Sequence, residues 1–253
     1  MRTLNNHTIL YDAECPMCNL YTRAFTTTGM LDPKGRAPYQ DMPPFACPMV
    51  DRQRAVNEIA LVDKTTGEVK YGIDSLFTII AHSFPIFGPL FRWKPFIWLM
   101  RKFYAFISYN RKVIIPAPIN GKTHSIQPSF RLRYRIAWLL FTAGVAGSIL
   151  TNYTGLLKEL LPTGSPYREY AIIAGLMIFQ GLIAGGPAPR KKWDYLGNMM
   201  TVLLIGSLLL LPLMAIAAFT RLPVVIAAGY FLLVAGWMLL EYIRRIKLLS
   251  GIY

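Results

Sequence analysis

Thr8-Ile9-Leu10-Tyr11-Asp12-Ala13-Glu14-Cys15-Pro16-Met17-Cys18 is the stretch on which the reading of the N-terminal half turns. Four β-prone residues run into a short polar turn, and a Cys-x-x-Cys pair then opens a helix that continues to about Phe25, with Pro16 suited to its first turn. A strand feeding a helix through two cysteines predicts a small α/β unit with its chemistry at the strand-to-helix turn.

Working outward, Gly35 to Tyr39 is a second, weak strand. Glu58 to Val62 and Glu68 to Tyr71 flank Asp63-Lys64-Thr65-Thr66-Gly67, a hairpin signal. Asp74 to Ser83 has helical spacing with Asp74 as N-cap. From Pro85 to Ile115 the chain is dense in aromatic and basic residues, among them Phe91, Arg92, Trp93, Lys94, Trp98, Arg101, Lys102, Tyr104 and Arg111. This reads as an amphipathic helix at headgroup level, or as a core helix with solvated charges. The expected organisation is an α/β domain over 1–115, a linker over 116–133 and an all-α transmembrane region over 134–253.

That last region rests on composition and pattern. Hydrophobic residues make up 54% of the 253 and charged residues 16%, too little polar surface for a wholly soluble fold of this size. Ile136–Tyr153, Tyr170–Gly186, Leu196–Phe219 and Pro223–Tyr242 are each near the length that crosses hydrocarbon, predicting a bundle of about four helices in lipid. Arg131, Arg133 and Arg135, then Arg190, Lys191 and Lys192, then Arg244, Arg245 and Lys247 mark alternate loops. By the positive-inside rule both termini face the cytosol. The start, Met1 to His7, holds no apolar stretch resembling a signal peptide, so the expected location is a bacterial inner membrane with the α/β domain on the cytoplasmic side.

The net charge of +14 is spread over both halves, with 15 Lys/Arg against 9 Asp/Glu up to Phe130 and 12 against 4 beyond it. Cations scattered in this way argue against a nucleic-acid-binding patch.

A cysteine at a helix N-terminus has its thiolate stabilised by unpaired N–H groups and the helix dipole. Cys15 is therefore the candidate nucleophile, and Cys18, on the same turn, the resolving thiol. Asp12 is the third candidate, either as a base taking the Cys18 proton or as an Asx-type turn. The same spacing also holds half a zinc site or grips Cu(I). For zinc the further ligands would come from Cys47, His7, His82 and His124; for copper, Met17 or Met49 could join Cys15 and Cys18. A purely structural pair is the remaining reading, and Cys47 itself reads as a passive thiol. The redox reading needs no cofactor beyond the dithiol, and its partner is a protein thiol or disulfide.

Tyr11-Asp12-Ala13-Glu14-Cys15-Pro16-Met17-Cys18, with Ser75-Leu76 and Tyr104-Ala105-Phe106-Ile107-Ser108-Tyr109-Asn110-Arg111, resembles the DCC family of predicted thiol-disulfide oxidoreductases over roughly the first 115 residues. The resemblance implies a thioredoxin-like fold with Cys15 and Cys18 as dithiol and Asp12 as the matching acid. Ala13 stands where that family usually has glycine. Arg54-Ala55-Val56-Asn57 precedes the Glu58–Val62 run, where thioredoxin-like proteins generally place a cis-proline.

No cysteine follows Cys47, so the apolar half cannot pass electrons by internal dithiol exchange. Its expected role is an anchor, a quinone or lipid pocket, or a helper subunit. Gly144, Gly147, Gly181, Gly185 and Gly186 allow close helix contact, and Pro212 predicts a kink. Gln180 and Asn198 are polar groups in or near spans, suited to interhelical hydrogen bonds or to a ligand. Acidic residues are absent from the span centres, which speaks against a proton-driven transporter.

Overall fold

The computed structural model describes residues 1–43, 46, 48–116, 129–162, 164–184 and 189–250. Cys47, His124, Gly185, Gly186 and most of the 116–133 linker lie outside these. The chain divides into two compact units, Met1–Arg131 and Leu132–Tyr253.

In the first unit the elements run β1 (His7–Tyr11), α1 (Pro16–Thr27), β2 (Arg36–Pro38), α2 (Arg52–Asn57), β3 (Ala60–Asp63), β4 (Val69–Tyr71), α3 (Ile73–Ser83) and α4 (Lys94–Ile114). The four strands form one mixed sheet in the order β2-β1-β3-β4. β1 is parallel to β2 and antiparallel to β3, with Ile9 opposite Leu61 and Leu10 opposite Ala60. Because side chains alternate across a strand, Ile9 and Leu61 face a core shared with Tyr21, Phe25, Leu76, Ile79 and Tyr104. Leu10, Ala60 and Val62 face the opposite core, closed by Ala46, Val50 and Ala55. β1 is thus covered on both faces, and the turn after its last residue is held firmly.

Two local readings change. α2 has no counterpart in the sequence reading; Asp51 caps it, accepting the Arg54 N–H at 3.1 Å. Asp74 does not cap α3. Gly72 takes that position with φ of +60°, and a Cβ there would stand 3.1 Å from the Tyr104 ring. A positive φ and a crowded approach both call for glycine, and Asp74 instead pairs with Arg101 at 2.8 Å.

α4 is two-faced. Trp98, Leu99 and Phe103 are exposed. On the inner face the Tyr104 hydroxyl accepts the Ile59 N–H at 3.1 Å. The Ser108 hydroxyl donates to the Asn57 carbonyl at 2.5 Å, and Arg111 donates to the Val56 carbonyl at 2.7 Å. Positions 104, 108 and 111 are one helix face at i, i+4 and i+7, and together they grip the segment that leads into β3. Arg111 is buried, not at a headgroup surface.

The second unit consists of α5 (Leu132–Thr154), α6 (Arg168–Ile183), α7 (Pro189–Ala217) and α8 (Val224–Ser250). Among the described residues, three helices are long and apolar enough to cross a membrane: Leu132–Leu157, Arg190–Ala217 and Val224–Leu248. The fourth apolar run gives α6, whose 16 residues rise about 24 Å at 1.5 Å each, short of a hydrocarbon core of about 30 Å.

Side-chain bonds order the helix ends. Arg135, near the start of α5, pairs with Asp194, near the start of α7, at 2.8 Å. Arg245, near the end of α8, donates to Asn198 at 3.0 Å. At the opposite end the Tyr153 hydroxyl donates to the Ala227 carbonyl at 2.7 Å, and Thr151 and Thr154 donate to Glu169. The four helices therefore alternate in direction. Gly147 meets the Tyr170 ring of α6, as a contact glycine should, whereas Gly144 faces open space. Pro212 lies inside α7.

Candidate functional site: a buried dithiol beside an arginine

The turn between β1 and α1 places the cysteines. Cys15 N–H donates to the Asp12 carbonyl at 3.1 Å, and Glu14 N–H donates to Asp12 Oδ1 at 3.1 Å, the Asx turn foreseen as one role for Asp12. Cys15 is the N-cap of α1, with Pro16 next; its Sγ accepts the Cys18 N–H at 3.3 Å. Cys15 and Cys18 are both free thiols and both buried.

Beneath them lies a group the sequence reading missed as chemistry. Arg111 Nη2 donates to Asp12 Oδ2 at 2.7 Å, and Nη1 lies 3.8 Å from Cys18 Sγ. Asp12 and Arg111 are each 5% exposed, so this ion pair sits out of water. Desolvating two charges costs several kcal/mol per ion, offset here by further bonds. Gln40 Nε2 donates to Asp12 Oδ1 at 2.8 Å, Gln40 Oε1 accepts the Ala13 N–H at 3.2 Å, and Val56 takes the second Arg111 Nη2 bond. Arg111 Nε is buried with no acceptor among the described residues.

The charge on the dithiol follows from these neighbours. Cys18 is lowered to about 7, chiefly by the hydrogen bond from the Cys15 thiol, with help from Arg111 and from the Tyr21 hydroxyl, and against burial and Asp12. Cys15 is pushed up by the same S–H bond to Cys18, by burial and by the Cys18 charge. The pair thus loses its first proton readily and holds the second tightly. The helix N-terminus expected to favour a Cys15 thiolate is in place, with the Cys18 N–H donating to Cys15 Sγ, while Arg111 and the Tyr21 hydroxyl both favour an ionised Cys18.

The remaining sequence candidates do not converge here. Met49 Sδ lies against Gly67 in the β3–β4 turn. His7 faces Asp63 at the start of β1, remote from Asp12 at its other end, and His82 meets the Thr3 carbonyl. Among the described residues no group of three or more His, Cys, Asp or Glu side chains could hold a metal ion. Met17 is half-buried beside the dithiol. A scan against protein-family models, a search of curated proteins and a search of solved structures each return no match.

Proposed function

We propose that the first unit is a thioredoxin-like thiol-disulfide oxidoreductase of the DCC kind, held at a membrane by the second. The observation that carries this reading is the geometry of the dithiol: a buried Cys-x-x-Cys pair at a helix N-terminus, with Cys18 Sγ 3.8 Å from a buried guanidinium that is itself paired with Asp12. The order β-α-β-α-β-β-α and the sheet order β2-β1-β3-β4 support the fold assignment.

In the proposed reaction a proton shift from Cys15 to Cys18 leaves the thiolate on Cys15, where the Cys18 N–H and the helix N-terminus stabilise it. Cys15 attacks one sulfur of a substrate disulfide and the other leaves as a thiolate, which takes a proton from water. Cys18, losing its proton to Asp12 or to water, then attacks Cys15 and expels the second substrate sulfur as a thiolate. The substrate gains two electrons and the enzyme holds a Cys15–Cys18 disulfide; the reverse sequence oxidises a substrate dithiol.

Equilibration of the metal-free protein in graded glutathione buffers, read by alkylation and mass spectrometry, should show a cooperative two-electron transition between roughly −120 and −270 mV. Cys18→Ser should trap mixed disulfides on Cys15 more strongly than Cys15→Ser traps them on Cys18. A pair that forms no disulfide over that range, or thiols that react only after bound Cu(I) is stripped, would sink the proposal.

For the second unit we propose four crossings, with both termini on the cytoplasmic side of a bacterial inner membrane. The alternating helix directions support α6 as a short fourth span, and the cation clusters at 131–135, 190–192 and 244–247 then share one end. A cysteine placed at Thr220, between α7 and α8, in a chain with Cys15, Cys18 and Cys47 replaced by serine, should react with an impermeant maleimide in intact cells. Reaction only after the cells are opened would refute this topology.

A further inference from the structure

α6 packs on α5 and α7, and α8 packs on α7, so two helices lean on a third and leave a gap between themselves. The gap is a cavity of about 280 Å³ whose apolar walls include Leu176, Met199, Met200 and Met238, close to the lower limit of about 300 Å³ for small-molecule pockets. Gly206 leaves the space into which Met238 turns.

At the cation-rich end three helices each contribute one polar group. The Tyr195 hydroxyl donates to Gln180 Oε1 and lies 2.7 Å from the Tyr242 hydroxyl. Tyr242 also reaches Gln180 Oε1 at 3.3 Å. Gln180 and Tyr242 line the cavity, and both tyrosine hydroxyls engage Gln180 Oε1, which leaves the amide N–H groups to donate elsewhere. A donor away from water calls for an acceptor, and a ligand in the cavity can supply one. None of the lining residues is charged, which leaves nothing in the lining to pair with a phosphate. The thioethers of the wall make favourable contacts with a flat ring. Leu176 and Leu239, both exposed, flank the mouth and would let an apolar tail run out into lipid.

We propose that the cavity between α6 and α8 binds a membrane-soluble molecule with an uncharged, carbonyl-bearing ring and an apolar tail, the chemistry of a prenylated quinone. The ring lies against the methionines, and a ring carbonyl accepts the Gln180 amide N–H. This site stands apart from the dithiol reading and survives its failure.

The test is photolabelling of the full-length protein in phosphatidylcholine nanodiscs with an azido-ubiquinone, mapped by mass spectrometry. Label should concentrate on peptides carrying 176–180 and 238–242 and fall at least about ten-fold with excess decylubiquinone. Gln180→Leu should weaken labelling about ten-fold, as loss of one ligand hydrogen bond implies. Leu176→Trp, which fills the mouth and leaves the polar end intact, should abolish it. Label spread over the lipid-facing sides of α5 and α8, or unaffected by decylubiquinone, overturns the proposal. So does label displaced by added phosphatidylglycerol and not by decylubiquinone, which would assign the cavity to a phospholipid with Lys192, beside Gly181, as its cation. Should the variants fail to fold, the wild-type competition decides alone.

Discussion

Arg111→Met should raise the ionisation of the dithiol from about 7 by roughly one to three pH units, the range over which one nearby opposite charge acts. Burial and the Asp12 charge both oppose a thiolate on Cys18, and without the guanidinium only the S–H bond from Cys15 and the Tyr21 hydroxyl remain to favour it. The same change strands the Asp12 carboxylate in a buried site and releases the Val56 carbonyl. Removing one partner of a buried pair costs about 3–5 kcal/mol, so the first unit should open at markedly lower urea. Arg111→Lys should fall between. It keeps the charge but cannot reach Asp12, Val56 and Cys18 together as a planar fork does. The measurement is the pH dependence of iodoacetamide alkylation, followed for Cys15 and Cys18 separately, alongside urea-dependent proteolysis of the first unit in the full-length protein. An unmoved alkylation midpoint in Arg111→Met would show that the guanidinium does not set the dithiol's acidity.

Why Arg111 escaped a reading of the sequence is a matter of local crowding. It sits in a run dense with tryptophan, phenylalanine and lysine, whose outward residues Trp98, Leu99 and Phe103 do have the character of an interfacial helix. The inward face is carried by Tyr104, Ser108 and Arg111, polar residues that an apolar-periodicity search passes over. Their i, i+4, i+7 spacing was available as a signal. Its meaning depended on α2 and on the Val56–Ile59 backbone, whose donors and acceptors they satisfy. Asn57, at the end of α2, exchanges two hydrogen bonds with Ser129, 72 residues further along the chain, a proximity no spacing rule supplies. β1, α1 and the β3–β4 hairpin were legible because each is defined by its own residues. Gly72 was not, since its positive φ answers to the Tyr104 ring. In the second unit the apolar runs were plain in the sequence. The pairing of Arg135 with Asp194 was hidden, because a charge at the edge of a span reads equally well as part of a loop.

Asp12→Asn should act in the opposite sense and so separates electrostatics from proton transfer. Asparagine keeps an oxygen for the Glu14 N–H but removes the negative charge that raises Cys18, so the alkylation midpoint should fall below about 7. Arg111 then has the Cys18 thiolate as its remaining anionic neighbour. At pH values where both thiols are protonated its charge is uncompensated, and the variant should be less stable than the parent by about 3–5 kcal/mol. Part of that loss should return as the dithiol ionises. The sign follows from linkage: a thiol whose folded value lies below its unfolded value of 9.0 contributes stability above the unfolded value. That contribution is lost as pH falls through the folded one. Stability of Asp12→Asn should therefore climb with pH between about 6 and 9, more steeply than that of the parent. Kinetics supply the second reading. If Asp12 takes the Cys18 proton, release of a preformed Cys15 mixed disulfide should slow at low pH even though Cys18 is more acidic, and recover as pH rises. A raised midpoint would overturn the electrostatic account, whereas a lowered midpoint with release as fast as the parent's at low pH would leave Asp12 as the counter-ion of Arg111 and remove it from proton transfer.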